Sequence, residues 1–187
     1  MSNRRERWRV VLPALTEEYR SAFGDLPAEA LQWKPAADRW SIAQVLDHVM
    51  QLNRSYYPTF EQIEGGRYRP GWATHIPFVP QQLGKLLLRS VSPEARRPVR
   101  TLGIWEPAES GLPPNILEEF VGEQEVLARW LERLEPYFGK GLIITSPSSR
   151  FLPYPLDIAV EAMLAHEQRH FQQAMEVKTA WAKAQAG

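Results

Sequence analysis

Trp40-Ser41-Ile42-Ala43-Gln44-Val45-Leu46-Asp47-His48-Val49 is the stretch whose reading decides the fold. Ser41 and Gln44 stand three apart in capping-box form: the serine hydroxyl can take the Gln44 amide, and the Gln44 side chain can reach back to the Ser41 N–H. Trp40 and Val45 occupy the positions of a hydrophobic staple. From this start an apolar stripe runs through Ile42, Val45, Val49, Leu52, Tyr56, Phe60 and Ile63, spaced by threes and fours, and Gly65-Gly66 stops it. An amphipathic helix with one buried face is expected, bent late by Pro58.

Three more stretches carry the same period. Residues 3–23 place Trp8, Val11, Leu12, Leu15, Tyr19 and Phe23 on one face before Gly24, with Pro13 as a point where this helix kinks or splits. After Pro113-Pro114, Asn115 reads as a cap for a helix carrying Ile116, Phe120, Leu127, Trp130 or Leu131, and Leu134, closed by Gly139 and Gly141. The last begins near Pro155 and runs to about residue 183, with Ile158, Ala159, Ala162, Met163, Val177 and Trp181 as its apolar face. Residues 65–114, rich in Pro and Gly, form a long connection of the kind that is usually functional, with a short helix expected at Gln81–Arg89. No convincing strand pair emerges, although Leu142–Thr145 is β-prone. The expected fold class is all-α: one four-helix bundle over residues 1–187, with a long crossover between helices 2 and 3.

Composition narrows the function. Lys plus Arg and Asp plus Glu number 22 each, so the net charge is zero and no field of the kind that draws nucleic acid or acidic membranes is present. The seven tryptophans are scattered along the chain and do not form a stacking platform for bases. There are no cysteines, which excludes disulfides and thiolate chemistry from the protein itself and suits a reducing compartment. The charged start, Met1 to Arg7, leads into no signal-like apolar core, and no apolar run reaches the ~20 residues of a membrane span. A cytoplasmic location is the expectation.

The informative residues are histidines, of which the chain has four. His166 and His170 stand four apart in a helical stretch and so project from one face, a spacing that lets two imidazoles grip one ion. His48 lies beside the apolar stripe of the second helix, between Val45 and Leu52, and offers a third imidazole to the same interior. A single near-core histidine is more often a hydrogen-bonded structural residue, but burying three without a partner would cost several kcal/mol, roughly counted, and a metal removes that penalty. The string His166-Glu167-Gln168-Arg169-His170 also matches the His-Glu-x-x-His of zinc proteases. A protease is discounted because Gln173 stands where the longer motif has Gly, and because no strand edge is evident for a peptide substrate. The single Glu-x-x-His unit lacks the second copy that di-iron bundles use, which favours a mononuclear site.

Taken together, Trp40 to Val49 and the downstream His166-Glu167-Gln168-Arg169-His170-Phe171-Gln172-Gln173 resemble the DinB-like (DinB/YfiT) superfamily. The resemblance implies a four-helix bundle whose His48, His166 and His170 hold zinc, nickel or a similar divalent ion, iron and manganese being the alternatives. It also implies an enzyme of small-molecule chemistry, either a hydrolase or a transferase using a low-molecular-weight thiol. Three protein ligands leave coordination positions open, and an ion there lowers the pKa of a bound water to about 7 or holds a thiol as thiolate. Glu167, about 100° around the helix from His166, is the candidate general base at the rim of the site. Gln124, on the stripe of the third helix, and Tyr56, two turns beyond His48, are candidate ligand-binding residues, with a hydrogen bond in the core and simple packing as the plain alternatives. His75 reads as a loop histidine. The alternative from another class is a non-catalytic bundle that the metal only stabilises, serving as a binding or interaction module. An apolar outer helix face would favour a homodimer under either reading.

Overall fold

In a computed structural model that describes residues 7–94 and 101–186, the capping box forms as read: Gln44 N donates to Ser41 Oγ at 3.1 Å and Ser41 N to Gln44 Oε1 at 3.2 Å. The elements are α1 (Arg7–Phe23), α2 (Ala28–Gln32), α3 (Ile42–Glu64), α4 (Val79–Val91), α5 (Ile116–Leu134), β1 (Ile143–Ser146), β2 (Ser149–Pro155) and α6 (Leu156–Ala186), with 3-10 turns at Trp72–His75, Gly103–Trp105 and Glu135–Tyr137. The long helices α1, α3, α5 and α6 are the four expected from the periodicity, and they form the bundle: α3 packs on α5 and α6, and α1 packs on the same two. Residues 3–6 of the expected first helix lie outside the described residues.

Pro13 and Pro58 do not break their helices. Each removes an N–H that would bond the carbonyl four residues back, Arg9 and Arg54, and each pair lies on an exposed face where water can take the freed oxygen. Asn115 stands at the N-cap of α5, but its side chain makes no capping bond there, contrary to the sequence reading.

The connection between α3 and α5 is not bare loop. It folds into α4, two residues longer at each end than expected, and the turn Gly103–Trp105, and α4 lies against α6 and β2. That contact is close: a Cβ on Gly84 would stand 3.1 Å from Ile158 Cγ2 and 3.2 Å from Pro155 Cδ. The expectation of no strand pair is corrected, since β1 and β2 form an antiparallel hairpin with Ile144 opposite Tyr154 and an irregularity between Thr145 and Ser146. Pro153 and Pro155 suppress the strand signal in β2; a two-stranded ribbon leaves each strand an unpaired edge on which a missing N–H costs nothing.

The interior divides in two. One apolar cluster takes Trp8 and Leu12 of α1, Leu52 to Ile63 of α3 and Leu156 to Leu164 of α6; the other takes Leu15 to Phe23, Ile42 to Met50, and Ala174 with Val177. Between them sits a polar layer of buried Asn53, Gln124 and Glu167. No helix among the described residues is long and apolar enough to cross a membrane.

Candidate metal centre

His48 projects from α3 two turns after its cap, and His166 and His170 project one turn apart from α6. Because α3 and α6 are packed neighbours, the three rings meet. His166 Nε2 lies 3.1 Å from His48 Nε2 and 3.0 Å from His170 Nε2, and the three ligand nitrogens all fall within 4.8 Å of one another. All three side chains are buried.

Proton positions follow from the partners of the other ring nitrogens. His48 Nδ1 is 2.6 Å from the carbonyl oxygen of Trp105, and His170 Nδ1 is 2.8 Å from Gln173 Oε1. Both partners only accept, so both Nδ1 atoms carry the proton and both Nε2 atoms present lone pairs. His166 Nε2 faces two lone pairs and has at most one proton to share. Its Nδ1 is buried without a partner among the described residues. Burial lowers the pKa of all three rings: that of His48 below its ordinary value, His166 well below it, and His170 to about 3. Neutral imidazoles are the ligating form. Three convergent nitrogens with too few protons to pair them, two of them in fixed tautomers, suit a shared metal cation.

The rings form part of the wall of a cavity of about 940 Å³. Leu83, Leu86 and Leu87 of α4, Met163 of α6 and Leu152 of β2 supply much of its apolar lining. Trp40 covers two of the rings, its centroid 4.9 Å from that of His48 and 6.1 Å from that of His170. Thus Trp40, read from sequence as half of a staple, contributes to the site.

The other expected residues separate. Tyr56 lines the cavity, and its hydroxyl is 2.8 Å from that of Tyr154, another lining residue. Glu167 does not stand at the rim. It is fully buried on the far side of α6, where Oε1 accepts from Asn53 Nδ2 at 2.7 Å and Gln124 Nε2 at 3.2 Å, and burial raises its pKa to about 7. The 100° step from His166 holds, but it leads into the core and not to solvent, because α6 is packed on that side too. Gln124 spends its amide on Glu167 and, like Glu167, is not part of the cavity wall. His75 is exposed and also outside the wall.

Sequence reasoning missed Gln173, whose signal was its i+3 spacing from His170. It also missed the Trp105 carbonyl, for which a backbone atom in a long connection leaves no side-chain signature.

The fold and site define a class: an α-helical bundle with a buried three-imidazole cluster, close enough to hold a metal ion, opening onto a largely apolar cavity. A family model for the DinB superfamily matches residues 12–174, and the chain belongs to that superfamily. Searches among curated proteins and among solved structures return no significant match.

Proposed function

We propose that the chain is a metal-dependent enzyme of small-molecule chemistry whose single divalent transition ion is held by His48, His166 and His170, and that it transfers a low-molecular-weight thiol rather than hydrolysing its substrate. The observation that carries the reading is the convergence of three Nε2 atoms on the wall of a cavity large enough for a substrate. When bound, the ion supplies a Lewis acid that lowers the pKa of a nucleophile or polarises an acceptor.

The chain's own residues do the rest. Gln173 and the Trp105 carbonyl hold two rings in the tautomer that leaves Nε2 free. Leu83, Leu86 and Leu87 of α4 with Leu152 give the cavity apolar surface on which the body of a substrate can rest. The paired hydroxyls of Tyr56 and Tyr154 keep their protons, burial raising both pKa values, and so offer a donor to a substrate oxygen.

The choice of thiol transfer rests on the placement of carboxylates. Hydrolysis draws on a general base more than thiol transfer does, because an ion lowers the pKa of either nucleophile but starts from about 15.7 for water and only about 8.5 for a thiol. Glu167 faces the core, and the carboxylates lining the cavity, Asp38 and Glu176, are exposed, with Glu176 paired to Arg39 at 3.4 Å. A non-catalytic bundle stabilised by its metal is the second reading, favoured by the low exposure of the rings, 3–9%.

Elemental analysis of protein purified without chelator is the test. Near-stoichiometric transition metal in the wild type, lost in His48→Ala and His166→Ala, is expected. No metal even after loading with zinc or nickel sinks the proposal. On cobalt-substituted protein, an intense thiolate charge-transfer band on adding thiol is expected, and a spectrum indifferent to thiols leaves hydrolysis or the stabilising role.

A further inference from the structure

Arg169 stands on α6 between two of the three histidines and lines the same cavity. It is half-buried, and its charge is felt at both His166 and His170, whose pKa values it lowers. Among the described residues it has no carboxylate partner. Its one hydrogen bond among the described residues runs from Nη1 to the carbonyl oxygen of Ser90, at 2.9 Å, in the last turn of α4. The opposing charges on the wall are accounted for: Glu176 pairs with Arg39, and Asp38 is exposed at the rim, where water screens it.

A guanidinium has five N–H donors in a rigid fork, and the Ser90 carbonyl uses one of them. That bond also fixes the side chain, so the remaining edge is presented to the cavity with little further loss of rotamer freedom. A half-buried cation with free donors, close to apolar surface, is matched by a planar anion on an apolar body.

We propose that Arg169 is a carboxylate-binding residue, and that the substrates of this cavity carry a carboxylate on an apolar body lodged against Leu83, Leu86, Leu87 and Leu152. This deepens the reading of the cavity as a substrate site and rests on it. Capping the last turn of α4 is the plainer role for Arg169, and it makes no demand on ligand charge.

The test compares octanoate with octan-1-ol, equal in chain length, by calorimetry on metal-free and metal-loaded protein. The metal-free arm matters because a carboxylate also ligates an ion directly. Expected is a roughly tenfold or greater preference for octanoate in both forms. The preference is expected to vanish in Arg169→Met while octanol affinity stays within about twofold, and to survive in part in Arg169→Lys. Octanol binding in Arg169→Met shows that the fold and cavity persist. Equal binding of the two ligands by the wild type overturns the proposal, as does binding of neither. A preference that survives in Arg169→Met, or that exists only with metal loaded, also overturns it. Failure to load metal would count against the enzyme reading and leave the metal-free comparison intact.

Discussion

A histidine ligates best through one nitrogen when the other donates its N–H to a fixed acceptor. For His170 that acceptor is Gln173 Oε1, 2.8 Å away. Gln173→Ala leaves the ring free to exchange tautomers and to turn, and apparent metal affinity is expected to fall by roughly 10–100-fold. Competition with a chromophoric chelator measures this, and an unchanged affinity would show that the amide is not needed. The pairing of His166 and His170 is legible in the sequence because a spacing of four on a helix fixes a common face whatever surrounds it. What surrounds a face was not legible. Glu167 and Gln124 both carried the right angle on their helices, yet they meet each other in the core instead of a ligand.

At the scale of elements, the capping box fixes where α3 begins and therefore the rotation at which His48 arrives two turns later. Gln44 serves twice: its Oε1 accepts from Ser41 N, and its Nε2 donates to the Ala108 carbonyl oxygen at 3.0 Å, tying the crossover to the helix start. Ser41→Ala removes the acceptor for Gln44 N and is expected to cost about 1 kcal/mol in chemical unfolding. A loss of less than a few tenths would mean that the tertiary contacts alone set the start. The four long helices were readable because each buries one stripe, with a stop signal after α1, α3 and α5. The hairpin was not, because its second strand contains Pro153 and Pro155 and its partner has only four residues. Nor was α2, whose five residues are too few to show a period.

Across the whole molecule, the two apolar halves are joined through a layer of buried polar groups that hydrogen-bond to one another. Tyr19 donates to the Glu167 carbonyl oxygen at 3.0 Å, and Tyr57 donates to Glu123 Oε1 at 2.6 Å. Burial is the first cause raising the pKa of Tyr19, Tyr56, Tyr57 and Tyr154. An unfolded tyrosine ionises near pH 10. Above that pH the folded chain holds more protons than the unfolded one, so this contribution to stability is complete below about pH 10 and declines as pH rises further. These four phenols are expected to ionise only as the helices melt. Tyrosinate absorbance and helical circular dichroism followed together in an alkaline titration check this, and ionisation of the four in a protein that is still helical contradicts it.

The hydrogen bond from His48 to the Trp105 carbonyl makes the crossover and the ion site conjugate variables. Coupling between two equilibria is reciprocal: whatever factor of ion affinity depends on the segment being docked, the ion must return as that same factor in docking. The crossover then reports on occupancy at a distance. Loading the metal is expected to slow proteolytic cleavage between α3 and α5, and His48→Ala, which removes both the bond to Trp105 and one of the three imidazoles, is expected to abolish the protection. On the proposed reading, the long connection takes part in the ion affinity of a site to which it lends a single oxygen atom.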